Sequence, residues 1–120
     1  MKLRVTATIA VLLTGTSAIA ADLLPLRHGI FVTAEIPCKG ASFVDILSYW
    51  GGQNGINSQP IECRITKLTR SGQAYRLSRK CRDIRYGPSS YNQLTVVVTD
   101  RNSFTINGVR YRYCGRRAIL

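Results

Sequence analysis

Short runs of alternating apolar and polar residues, punctuated by Gly, Asn and Pro, predict an all-β fold: a small antiparallel meander or barrel of about seven strands. Asn107-Gly108, set between two alternating runs, is the plainest of these signals, because both positions of a two-residue hairpin turn need positive φ. Four cysteines, Cys38, Cys63, Cys81 and Cys114, add a second. An even count in a short exported chain predicts two disulfides stapling a core of modest size.

The first twenty residues stand apart from this pattern. Lys2 and Arg4 form a positive start, residues 5–17 are uncharged, and Ala18-Ile19-Ala20 has the small-x-small pattern of a signal-peptidase site. The apolar stretch is short for a membrane-spanning helix, so residues 1–20 are expected to be a cleaved bacterial signal peptide. Residues 21–120 then form a single β domain, periplasmic or secreted, with no transmembrane segment after cleavage. The chain carries 17 Lys+Arg against 6 Asp+Glu. Without Lys2 and Arg4 its formal charge falls only from +11 to +9.

Along the domain, Ile30, Val32, Ala34 and Ile36 alternate ahead of Pro37 and predict a first strand. Residues 43–50 are a second apolar run, closed by Gly51-Gly52. Trp50 at its end reads first as a core plug and second as a platform for a ligand. Residues 53–60, QNGINSQP, are a loop on composition. Ile61, Cys63 and Ile65 alternate in a third strand; Tyr75, Leu77 and Cys81 share one parity in a fourth. The Gly87-Pro88-Ser89-Ser90 turn leads to the β-branched run at residues 94–98. In the final hairpin a two-residue turn pairs Ile106 with Val109 and Phe104 with Tyr111 on one face.

The third hairpin also bears on the disulfides. With Ser71-Gly72-Gln73 as a three-residue bulged loop, Cys63 faces Cys81 and Ile65 faces Arg79, and directly opposed residues lie within disulfide reach. Cys63–Cys81 with Cys38–Cys114 is the expected pairing, and Cys38–Cys63 with Cys81–Cys114 is the alternative.

Enzyme chemistry is not expected. His28, the chain's single histidine, sits in the N-terminal loop beside Arg27, where neither an orienting carboxylate nor a nucleophile is expected nearby, and it reads as a solvated loop histidine. The carboxylates Asp22, Glu35, Asp45, Glu62, Asp83 and Asp100 are scattered singly. There is no phosphate-binding glycine loop and no Cys/His spacing for zinc; neither a catalytic residue, a metal nor a cofactor is predicted.

The charge points to a binding role. Arg64, Lys67, Arg70, Arg76, Arg79, Lys80, Arg82 and Arg85 lie in a stretch with one acid, Asp83. Strand alternation puts Arg76, Ser78, Lys80 and Arg82 on the face opposite Tyr75, Leu77 and Cys81, an exposed basic stripe. Arg110 and Arg112 do likewise in the last strand. A one-sign stripe attracts an anionic partner. The expected anionic-partner residues are therefore Arg64, Arg76, Lys80, Arg82, Arg110 and Arg112. In an envelope compartment the partner is lipopolysaccharide phosphate, peptidoglycan carboxylate, anionic lipid or an acidic secreted or periplasmic protein. Nucleic acid matches the charge but not the compartment. Tyr75, Tyr111 and Tyr113 are expected largely in the core, Tyr86 and Tyr91 at the surface.

The stretch Ser71-Gly72-Gln73-Ala74-Tyr75 resembles the Ser-Gly-x-x-Tyr motif of bacterial inhibitors of C-type lysozyme, the MliC/PliC family. The family's second motif, Tyr-x-x-x-Thr-Lys-Gly, has no counterpart; the nearest text is residues 75–81, YRLSRKC. The resemblance implies a small exported antiparallel barrel whose first and last strands are joined by a disulfide. It also implies an inhibitory loop at 71–75, with Ser71 engaging the catalytic acids of lysozyme, Gly72 allowing the tight loop and Tyr75 bracing it. The chain is also similar to small exported four-cysteine proteins of alphaproteobacteria, a likeness that implies a shape and no activity.

Overall fold

A computed structural model describes residues 22–117; the segment read as an export signal lies outside the described residues. Seven antiparallel strands form one sheet: β1 (Gly29–Thr33), β2 (Ile46–Tyr49), β3 (Ile61–Ser71), β4 (Ala74–Asp83), β5 (Ser89–Asp100), β6 (Ser103–Ile106) and β7 (Val109–Gly115). Their spatial order is β2-β1-β7-β6-β5-β4-β3. Strands β3 to β7 are a plain meander, and β1 docks onto β7 with β2 outside it at the edge. The sheet curls into a half-barrel with an inner and an outer face. Among the described residues no helix is long and apolar enough to cross a membrane.

Period-two alternation sorts the faces. Phe31, Tyr49, Ile65, Tyr75, Leu77, Val96, Val98 and Phe104 point inward and build the buried core, with Tyr111 and Tyr113 packed against it. Phe31, Phe104, Tyr111 and Tyr113 pack as a chain of rings with centroids 4.9–5.3 Å apart, in the tilted and offset geometries aromatic pairs favour.

Two irregular segments complete this core. Leu24 and Leu26 bury themselves in it, and the buried Tyr49 hydroxyl clamps the Leu24 backbone, accepting from its N–H at 3.1 Å and donating to its carbonyl at 3.2 Å. Burial pushes the Tyr49 pKa up to about 12, because the phenolate is costly in an apolar site. The second segment is the 53–60 stretch, which acts as a strap. Asn54 bridges to Arg64 of β3 and Asn57 to Ser48 of β2, so the strap links the two edge strands and covers unpaired backbone that a half-barrel otherwise exposes. Ile56 of the strap is buried in the core.

Both disulfides pair as expected, Cys63–Cys81 and Cys38–Cys114, with Cα–Cα distances of 4.0 and 5.7 Å. Cys63 does face Cys81, and Ile65 faces Arg79, but the register has another origin. The turn holds two residues, Gly72-Gln73, closed by the pair Ser71 and Ala74. Gly72 alone has positive φ, +60°, as a turn with glycine at its first central position requires. A bulge between Ile65 and Lys67 then shifts the pairing by one residue, the amount that separates a two-residue from a three-residue loop.

Three other boundaries differ from expectation. The first strand ends at Thr33 instead of running to Ile36, because the chain turns at residues 34–36 and the Ile36 N–H bonds the Thr33 carbonyl. Residues 43–45 of the second apolar run form a 3₁₀ turn capped by Ser42, leaving Phe43 and Val44 exposed. The fifth strand starts at Ser89, well before the β-branched run, because β4 supplies a continuous partner as far as Arg82. The final hairpin pairs as expected, Ile106 with Val109 and Phe104 with Tyr111, with φ of 50° at Asn107 and 79° at Gly108.

Candidate basic face

Strands β3, β4 and β5 bring one group of predicted residues together. Arg76, Lys80 and Arg82 are exposed on the outer face of β4. Arg64 stands directly opposite Lys80 across the β3–β4 ladder, and Lys67 opposite Ser78. On the other side Lys80 faces Tyr91, Arg76 faces Thr95 and Ser78 faces Gln93. Five cations thus share one strand-paired surface about three strands wide, neighbouring strands being ~4.8 Å apart. One acid, Glu62, stands opposite Arg82.

These cations are not neutralised by ion pairs among the described residues, and three of them have neutral partners. Among the described residues, the ion pairs are His28–Asp22 and Arg85–Asp83, and neither involves the face. Instead the Arg76 guanidinium donates to the Gln93 side-chain oxygen at 2.8 and 3.2 Å, and Arg64 donates to that of Gln53. A neutral amide oxygen restricts a guanidinium's rotamers yet leaves its full charge to act on a ligand. The Lys80 ammonium lies 5.9 Å from the centre of the exposed Tyr91 ring, within cation–π range. Gln53, Gln93 and Lys67 were absent from the expected set of binding residues. The strand register would have found the last two, since Gln93 and Lys67 flank Ser78.

The other predicted cations do not join this group. Arg110 is exposed on the outer face of β7, aligned through Thr105 and Val97 with Ala74 of β4, so three strand spacings, about 14 Å, separate it from the stripe. Arg112 serves the fold: its guanidinium donates to the carbonyls of Ile36 at 2.6 Å and Ala34 at 3.4 Å and lies 2.9 Å from the Cys38 sulfur. Arg79, on the inward parity of β4, donates to the strap carbonyl of Ile56 at 3.0 Å and to Asn92 Oδ1 at 3.0 Å. Desolvation lowers its pKa. Arg85 pairs with Asp83 at 2.9 Å, and the Arg85 hydrogen bonds hold the Asp83 carboxyl below its usual range.

At the far end of the β3–β4 hairpin, Ser71, Gly72 and Gln73 are exposed. Tyr75 is buried, with the Arg70 guanidinium 5.0 Å from its ring centre. Arg70 also donates to the Gly72 carbonyl at 2.8 Å, tying the turn to the strand. Tyr86 and Tyr91 are exposed, as expected, but Trp50 is 41% exposed and not a core plug. His28 is not a free loop side chain: it lies 2.7 Å from Asp22 and edge-on to Tyr49. Comparison with protein-family models, curated proteins and solved structures gives no match.

Proposed function

We propose that this is a non-enzymatic binding protein of the periplasm or cell exterior that holds an anionic envelope component on the outer face of β3–β5. The observation that supports it is the set Arg64, Lys67, Arg76, Lys80 and Arg82. They share one face and have no carboxylate within ion-pair distance among the described residues, and two of them, Arg64 and Arg76, are aimed by neutral amide oxygens. Charges left uncompensated on one surface raise the local concentration of a polyanion and speed its encounter. The two disulfides suit an oxidising compartment. The experiment is retention of the oxidised protein on lipopolysaccharide micelles and on isolated sacculi as salt is raised. Retention on one of them that collapses with salt, as screening demands, is the expected result. No retention on either, or retention indifferent to salt, removes the proposal.

A second reading rests on the 71–75 turn. Its Ser71 and Gly72 are exposed while Tyr75 anchors the strand beneath, which suits a small projecting inhibitor loop of the lysozyme-inhibitor kind. On this reading the wild-type protein inhibits a C-type lysozyme and Ser71→Ala abolishes that inhibition in a turbidity assay. An inert wild-type protein ends it.

A further inference from the structure

A second site lies at the opposite end of β3 from the 72–73 turn. Where the strap passes from β2 to β3 it leaves an open cleft of about 440 Å³, within the range of roughly 300–1,000 Å³ usual for small-ligand sites. Its lining includes Trp50, Ile84, Ser58, Gln59, Glu62 and Arg64. Trp50 and Ile84 are 41% and 54% exposed, so the cleft offers a flat indole and an aliphatic side chain to solvent. Beside them stand a hydroxyl, a carboxamide and a carboxylate, on Ser58, Gln59 and Glu62, that have no hydrogen-bond partner among the described residues.

The frame around these groups is fixed before any ligand arrives. Asn54 Nδ2 donates to the Gly51 carbonyl at 2.7 Å, and Asn57 Oδ1 accepts from the Cys63 N–H at 2.9 Å. Cys63 is in turn covalently joined to Cys81. Preorganisation of this kind lowers the entropy cost of binding.

We infer that this cleft is a saccharide site that takes an acidic pyranose, such as a uronic acid unit of a glycan. A pyranose ring has an apolar C–H face that packs on an indole and a rim of hydroxyls that both donate and accept, matching the mixed inventory of Ser58, Gln59 and Glu62. The Arg64 side chain lines the cleft and supplies positive charge for the sugar's carboxylate. Glu62 accepts from sugar hydroxyls away from the sugar's carboxylate. The inference goes beyond the outer-face reading and does not need it.

Trp50 is the one tryptophan of the chain and lines the cleft, so its fluorescence is the natural reporter of a ligand there. Titration of the oxidised protein with oligogalacturonate is expected to give a saturable change in Trp50 emission, while cello-oligosaccharide of equal length changes it little. Gln59→Ala, an exposed position, is expected to weaken the response about tenfold, the loss of one well-made hydrogen bond. Calorimetry on Trp50→Phe, with circular dichroism as the check of folding, is expected to show a similar or greater loss. The variant Arg76→Gln/Lys80→Gln/Arg82→Gln should leave the Trp50 response intact, which separates this site from the outer face. An unchanged emission with oligogalacturonate, an equal response to the neutral oligomer or to uridine diphosphate, or a response that survives Gln59→Ala at full strength overturns the inference.

Discussion

Asp22 shows how much one side chain near the start of the domain can organise. Its carboxylate accepts from the Gly52 N–H at 2.9 Å and pairs with His28 at 2.7 Å, linking the stretch that carries Leu24 and Leu26 to the end of β2. The Gly52 hydrogen bond, more than the bond from His28, holds the Asp22 pKa below its ordinary value. The folded state therefore binds this proton less readily than the unfolded chain, whose aspartates titrate near pH 4. The stabilisation is complete above that pH and is lost as pH falls through the lower, folded value. Asp22→Asn is accordingly expected to be less stable than wild type at neutral pH and to show a shallower loss of stability below about pH 4; thermal melts across that range check it. Alternation could not foresee this contact, since it joins residues thirty positions apart through a loop. Arg79 is the opposite case. Tyr75, Leu77 and Cys81 already fix the inward parity, so its inward aim was readable, but cations are ordinarily assigned to the surface because burial costs them solvation. The strap carbonyl of Ile56 and the Asn92 side chain offset that cost.

Among the elements, the β3–β4 hairpin shows what alternation conveys and what it leaves out. Parity predicted the exposed stripe, because a strand's side chains follow the backbone pleat with no further information. The facing cysteines rested on a three-residue loop, and the two-residue turn with its bulge reaches the same pairing. Parity did not predict the bulge at Thr66, since a bulge adds a residue without changing composition. The strap was unreadable for a related reason: QNGINSQP has the composition of a loop, and its two bridges depend on where β2 and β3 finish in space. The disulfides act at this scale too. Cys38–Cys114 closes a sequence separation of 76 residues and Cys63–Cys81 one of 18. On chain-entropy grounds their loss costs about 4.5 and about 3 kcal/mol respectively. Urea unfolding of Cys38→Ala/Cys114→Ala is therefore expected to show the lower midpoint, and of Cys63→Ala/Cys81→Ala the smaller shift. The reverse order would mean that the local packing of the buried Cys63 and Cys81 outweighs the constraint on the unfolded chain.

At the scale of the whole molecule, the two sides of one sheet do different work. The inner side collects the aromatics and aliphatics that, with Leu24, Leu26 and Ile56, make the core. The outer side of β3–β5 collects cations, two of which have neutral amide partners. Net charge was legible from composition, and its concentration on one hairpin from spacing. The removal of Arg112 to the Cys38 loop was not, because that contact spans more than seventy residues. The central claim is that arrangement on this face, beyond total charge, governs binding. The direct test compares two variants of equal formal charge for retention on lipopolysaccharide micelles at low salt. One is Arg76→Gln/Lys80→Gln/Arg82→Gln; the other is Lys39→Gln/Arg101→Gln/Arg117→Gln, three exposed positions off the stripe. At ~1 kcal/mol per basic residue at an anionic surface, the stripe variant is expected to lose on the order of a hundredfold in affinity and the control variant far less. Equal losses in the two would contradict the account.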